Sequence, residues 1–423
     1  MSLSTDLNIR LTDPMRLPFT AFAIVCALLL APLARAATYD IQYEVEVDPE
    51  RGVALVDIQL AGKQLPSRLR LHIDPERHRA FDSRDPFTVK SGEVTWRPEG
   101  KRAHLRYEFV VDGKRSNGRY DSMMTPDWAI LRSDKLVPPI SVTAKKGLTS
   151  RARLDFDLPD GWSAAAPYES DVKGTNRFHL TDPGRSLVRP KGWLILGDFT
   201  SRQDMIDGSE VRIAAPSGQD ARLQDTLAFV SWTLPALQQV FPDFPQRLLI
   251  VMARDPMWRG GLSGTRSLFM HADRPLISGN RTSSMIHELV HVGTGIHGDA
   301  ESDWIVEGIA EYYAAEILRR TGGISDTRYR QTLADLEAWG KKAPSLLVKR
   351  SSGPTTARAV GVMTELDAAI RRASKGRASL DNVATALASQ RGEITLAKFT
   401  ELVDAAAGRE LGLLERSRLG SPP

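Results

Sequence analysis

From Thr38 to about Thr200 the apolar residues fall on alternate positions, and beyond that point they no longer do. Tyr39, Ile41, Tyr43, Val45 and Val47 share one face of an extended chain, while Asp40, Gln42, Glu44, Glu46 and Asp48 take the other. That is the pattern of a strand buried on one side only. It returns at Val56-Ile58-Leu60, Leu69-Leu71-Ile73, Leu105-Tyr107-Phe109-Val111 and Leu154-Phe156-Leu158, with turn residues such as Asp112-Gly113 and Pro159-Asp-Gly161 between. A helix cannot present this spacing, so the first half is expected to be an antiparallel β-sandwich.

After Gly197-Asp198 the spacing becomes helical. Leu223, Leu227, Val230, Leu234, Leu237 and Phe241 mark an amphipathic helix. Leu248 to Ala253 and Ser267 to Ala272 read as strands, and helices are expected from about Arg281 and from Asp303. Beyond Gly322 every segment reads as helix, at Asp326 to Trp339, Thr356 to Arg372, Ser379 to Ser389 and Thr395 to Ala407. The expected architecture is α+β and multidomain: a β-sandwich over 37–200, a mixed α/β part over 201–322 and an all-helical C-terminal part over 323–423.

The 423 residues include one Cys and eight His. A single thiol excludes an intramolecular disulfide, a thiolate zinc knuckle and an iron–sulfur site, so any metal must be held by His and carboxylates. Lys and Arg (56) nearly balance Asp and Glu (52) with no basic run, which argues against a nucleic-acid partner. The Cys lies inside the apolar stretch Ala21–Ala31, which follows Arg16 and is closed by Ala34-Arg35-Ala36. This is the layout of a secretory signal peptide, too short to span a bilayer, with an uncleaved anchor as the alternative. Residues 1–36 are expected to be removed. The mature protein would be exported, periplasmic in a Gram-negative cell and secreted otherwise, with no thiol and no stable membrane span.

Four of the eight histidines, His271, His287, His291 and His297, fall in one window. Two of them make His287-Glu288-Leu289-Val290-His291. Residues four apart on a helix sit about 40° apart around its axis, so both imidazoles project from one face towards a single metal ion. Glu288, one step round, suits a base acting on water at that metal better than a third ligand. One Zn2+ is the natural occupant, since it accepts N and O ligands and leaves a position open for water. Two completions of the ligand set are open. Glu307 heads a second helix, with Glu311 one turn on to accept the free ring N–H of a ligand His. His297 stands at the eleventh place counted from His287, where metzincin endopeptidases carry a third histidine, although the eighth place is Thr294 rather than Gly.

The order of β-rich half, Gly260-Gly261-Leu262, the His287–His291 helix, Trp304-Ile-Val-Glu-Gly-Ile-Ala-Glu-Tyr-Tyr313 and a helical C-terminus resembles the glycyl aminopeptidase family of gluzincin zinc peptidases. The resemblance implies a thermolysin-like α/β catalytic core, His287, His291 and Glu307 as zinc ligands, Glu288 as general base and then acid, and a peptide or protein as substrate. Gly361-Val-Met-Thr-Glu-Leu-Asp367 is similar to that family's closing helices. Three features depart from it. The Gly-Gly-Leu is followed by Ser263-Gly264, so the acid that would grip a substrate α-amine is absent. Arg358 stands where relatives tend to place a Tyr that stabilises the oxyanion; it is either a fixed cation serving that end or a solvated arginine. A member without that family's usual C-terminal PDZ extension is expected.

Zinc-assisted peptide hydrolysis is the expected function. A substrate is expected to pair with an edge strand at Ser267 to Ala272, near Gly260, Gly261, Ser263 and His271. The alternatives are a metzincin-like endopeptidase using His297 and an inactive peptide-binding envelope protein.

Overall fold

The computed structural model describes residues 37–420 apart from 173 and 183, so the expected signal segment and its Cys26 lie outside the described residues. From Thr38 onwards the chain forms one unit.

The alternation becomes sheet as expected. Strand Thr38–Asp48 buries Tyr39, Ile41, Tyr43, Val45 and Val47 and turns Asp40, Glu44 and Glu46 to solvent. It pairs antiparallel with Val53–Ala61, which pairs antiparallel with Arg102–Val110, within a seven-stranded sheet. A four-stranded sheet of Ile140–Thr143, Arg68–His72, Glu93–Trp96 and Phe87–Lys90 shares its core, where Tyr43, Leu71, Trp96, Leu105 and Phe109 are fully buried. Each such side chain contributes about 1.5–3 kcal/mol of burial.

The sheet departs from expectation in one respect, because Thr38–Asp48 runs parallel to Thr149–Asp157, with Tyr43 opposite Leu154. Alternation encodes which face is buried and not which way a neighbour runs. A parallel pair needs only a long crossover, which the intervening strands supply.

A third sheet lies between this core and the C-terminal half. Its strand Trp193–Gly197 is buried on both faces. Leu194 and Leu196 join the sandwich core, while Trp193 and Ile195 join a separate cluster with Leu249, Val251 and Phe269. The sheet behind that cluster has the order Phe199–Ile206, Ser209–Pro216, Arg247–Ala253, Ser267–His271, Gly261–Gly264. Ser267–His271 is therefore interior and buried throughout. The edge on this side is Gly261–Gly264, antiparallel to it, which corrects the expectation that Ser267 to Ala272 would be the edge.

Helices pack on this sheet. Asp303–Arg320 runs through the core, with Trp304, Ile305, Ile309, Ala310 and Tyr313 fully enclosed. Helix Gly353–Ala373 crosses it so closely that a Cβ on Gly308 would lie 2.7 Å from that of Ala359. Helices Asp326–Gly340, Leu380–Gln390 and Leu396–Ala407 lie where the spacing predicts. The C-terminal part is not all helical. Arg391 (φ +49°) and Gly392 (φ +84°) turn the chain into a short strand, Gly392–Ile394, parallel to Ile296–Gly298. Among the described residues no helix is long and apolar enough to cross a membrane.

Candidate active site

Helix Ser284–Thr294 begins at Ser283, whose buried hydroxyl accepts the Ile286 N–H, and it ends at Gly295 in the left-handed conformation (φ +58°). Both caps are local, so the helix and its two imidazoles are set by eleven residues. Helix Asp303–Arg320 lies against it and presents Glu307 and Glu311 one turn apart.

The two helices bring three donors together. Nε2 of His287 and Nε2 of His291 are 3.1 Å apart, and the Glu307 carboxylate lies 3.3 Å from the first and 3.5 Å from the second. A tetrahedral zinc with bonds of about 2.0–2.1 Å needs donors about 3.3–3.4 Å apart, so the set fits one ion. Nδ1–H of His287 donates to Glu311 Oε2 at 3.0 Å, which turns the lone pair of Nε2 towards the same point. Among the described residues, His287, His291 and Glu307 form a group of three donors close enough together to hold a metal ion.

The electrostatics favour a cation. Burial opposes charge on His287, but its hydrogen bonds to Glu307 and Glu311 overcome this and raise the imidazole well above its usual range. Burial, with the His287 charge beside it, pushes His291 down to about 4. Burial would raise Glu307, yet the hydrogen bond from His287 and the charges of both imidazoles bring it down to about 2. Glu311 is lowered on the same terms, with a further hydrogen bond from Thr282. Two carboxylates thus stay ionised around the charge at His287, where a metal cation would take the place of the Nε2 proton. Glu288, by contrast, is raised by burial.

Glu288 reaches the edge strand, where Gly261 lies against it and the neighbouring Ser263 tempers the rise of its carboxyl. A Cβ on Gly261 would lie 2.4 Å from Cγ and 2.6 Å from Oε1 of Glu288, so only glycine lets the strand come this close. Gly260 is constrained in the same way, its Cβ position being 2.5 Å from Trp258 Nε1. We expect Gly261→Ala to lower kcat/KM about a hundredfold at unchanged zinc content, since a displacement of about 1 Å at the base costs that much. Peptide turnover within twofold of wild type would contradict this.

Three expected site residues are elsewhere. His271 is 2% exposed. Its Nδ1 accepts the Asp273 N–H at 3.3 Å, its Nε2 lies 3.4 Å from Asp255, and its backbone N–H holds the Gly260 carbonyl. An apolar interior strand draws the imidazole inside, where it supports the chain leading to Gly260. Arg358 donates to the carbonyls of Ala343 and Arg418, both at 3.0 Å, so it fastens loop and C-terminus rather than an oxyanion. His297 is exposed on the strand paired with Gly392–Ile394 and is not among the converging donors. The helix ends at the ninth place, Gly295, and the next residues enter that strand, away from the site.

Sequence reasoning passed over Thr282, Trp258 and Asp255. Each acts across a fold contact, and none stands in a spacing that points to the metal.

No protein-family model matches the sequence, and no curated relative does. Solved structures do. An aminopeptidase N family protein from Idiomarina loihiensis superposes with a TM-score of 0.64 at 15% identity, over 83% of this chain and 70% of that one. An M1 zinc metallopeptidase from Deinococcus radiodurans gives 0.59 at 17% identity, over 91% and 93%. A variant of that enzyme bound to a Tyr-Ser-Ala substrate gives 0.58 at 16% identity, over 92% and 95%. The fold is that of the M1 zinc metallopeptidases. At this identity the likeness is one of architecture, and the chemistry rests on the residues above.

Proposed function

We propose that this chain is an exported zinc metallopeptidase that hydrolyses peptide bonds with Glu288 as general base and then acid. The observation that carries the reading is the convergence of His287, His291 and Glu307 beside a Glu288 that lies against the edge strand Gly261–Gly264. Those three residues would hold a zinc ion, which would supply Lewis acidity towards a peptide carbonyl and lower the pKa of water to about 7. Glu288 takes the proton of the attacking water and delivers it to the leaving amine. Glu311 keeps His287 in the ligating tautomer. An extended peptide adds to the free edge of Gly261–Gly264 through its backbone.

That edge strand carries no carboxylate to hold a substrate α-amine, which favours cleavage without a requirement for a free N-terminus. A digest of free and acetylated peptides by the zinc-loaded protein tests this. Cleavage confined to free termini would restore aminopeptidase specificity. The ligand set has its own test: Glu307→Ala is expected to lose zinc and His297→Ala to keep it, by metal analysis. The reverse result would make the site metzincin-like.

A further inference from the structure

The last residues before the edge strand are held by a distant part of the chain. Hairpin Gly113–Met124 belongs to the third sheet, yet Tyr120 N–H donates to the Pro256 carbonyl at 3.1 Å and Trp258 N–H donates to the Tyr120 carbonyl at 2.8 Å. The hairpin thereby delivers Arg115 and Arg119 to the start of the edge strand. The Arg115 guanidinium lies 4.4 Å over the Trp258 ring. Its Nε is buried without a hydrogen-bond partner, and its ion-pair partner Asp121 is 3.8 Å away. Arg119 and Arg259 both bind Asp255, and Lys114 lies 5.9 Å over Tyr120. Lys114, Arg115, Arg119 and Arg259 thus meet three carboxylates, Asp121, Asp255 and, acting on Arg259, Asp273, and Arg259 stays 62% exposed.

This excess of positive charge is next to the chemistry. Gly261 touches Glu288, and Arg259 and Trp258 precede it by two and three residues across a bend, hence at most about 7 and 10 Å away along the chain. We propose that Arg115, stacked on Trp258, and Arg259 form a cationic subsite that accepts a substrate carboxylate, an acidic side chain or the terminal carboxylate, two to three residues from the bond that is cut. The inference rests on the peptidase reading. It goes further by naming the substrate class as acidic peptides or short peptides ending near the site. A guanidinium flattened on an aromatic ring keeps its edge donors for a planar anion, and the ring fixes its orientation beforehand.

Peptides differing only in Asp or Glu against Asn or Gln at each position around the cleaved bond, and in free against amidated C-termini, separate the two sources of the carboxylate. Wild type is expected to favour the acidic or free-carboxylate member about tenfold in kcat/KM, an advantage that falls as salt is raised. In the Arg115→Gln, Arg259→Gln double variant the ratio falls to near one, and in the corresponding double Lys variant it is partly kept. Anisotropy of the same labelled peptides on zinc-loaded Glu288→Gln protein, with and without the two Gln substitutions, reads the subsite without turnover. Cleavage or binding indifferent to the carboxylate, or a preference that survives the double Gln variant, overturns the subsite while leaving the peptidase reading in place. Absent cleavage together with arginine-dependent, carboxylate-selective binding overturns the peptidase reading and leaves the subsite standing.

Discussion

Glu288→Gln is expected to lower kcat/KM for peptides by about a thousandfold or more while the protein binds zinc as the wild type does. The side chain lies against the edge strand at Gly261, next to Ser263. Glutamine matches it in shape, so the contact between helix and strand survives. The amide is not basic, however, and cannot take a proton from water. General acid–base assistance contributes about 10² to 10⁴ in rate, and Glu288 acts twice, first taking the proton and then giving it up. A loss of a thousandfold corresponds to about 4 kcal/mol of transition-state stabilisation. Metal analysis and thermal unfolding on the same samples separate this from loss of the site. A variant that keeps zinc and retains more than a tenth of wild-type turnover would remove Glu288 from the chemistry. Equal inactivity of wild type and variant towards varied peptides, with zinc bound, would instead favour a peptide-binding protein.

The parts of this site that could be read from the sequence are those written in one helix at a time. His287 and His291 are four apart, as are Glu307 and Glu311, and helical geometry alone places each pair on one face. The C-terminal helices were legible for the same reason, since their apolar positions repeat with the helix period. The edge strand was not. Gly261-Leu-Ser-Gly264 has no alternation to detect, and its strand state comes from pairing with Ser267–His271 and from a clearance over Glu288 that only glycine permits. His271 and Arg358 were misplaced because both are polar groups whose partners, Asp255 for one and two carbonyls for the other, come from other segments. The parallel pairing of Thr38–Asp48 with Thr149–Asp157, and the hairpin that reaches Trp258, are likewise contacts between segments more than a hundred residues apart. Periodicity reports a residue's face and is silent about its partner.

Arg320→Ala is expected to destabilise the protein by about 2–3 kcal/mol near neutral pH, read from urea unfolding. Arg320 stands in the last turn of the Glu307 helix and joins two carboxylates: its Nε donates to Glu316 at 2.8 Å, and both of its terminal nitrogens donate to Asp381 at 2.9 Å. The Tyr313 hydroxyl also donates to Asp381, at 2.7 Å, which ties this helix to Leu380–Gln390. Removing one partner of a fully buried pair costs about 3–5 kcal/mol. The cost is smaller here because Glu316 keeps Arg319 and because the Asp381 side chain, 33% exposed, regains water. Burial tends to raise both carboxyl groups, and hydrogen bonds from the arginines more than reverse it, so each titrates below its ordinary range in the folded chain. Their stabilisation is therefore complete above the unfolded values near 4 and is lost as the pH falls through the lower folded values. The difference between wild type and Arg320→Ala should accordingly be constant from pH 7 to about 5 and shrink below 4, with both proteins held in the same metal state. A difference that stays constant down to pH 3 would mean that Arg320 acts through the packing of its aliphatic stem rather than through its charge.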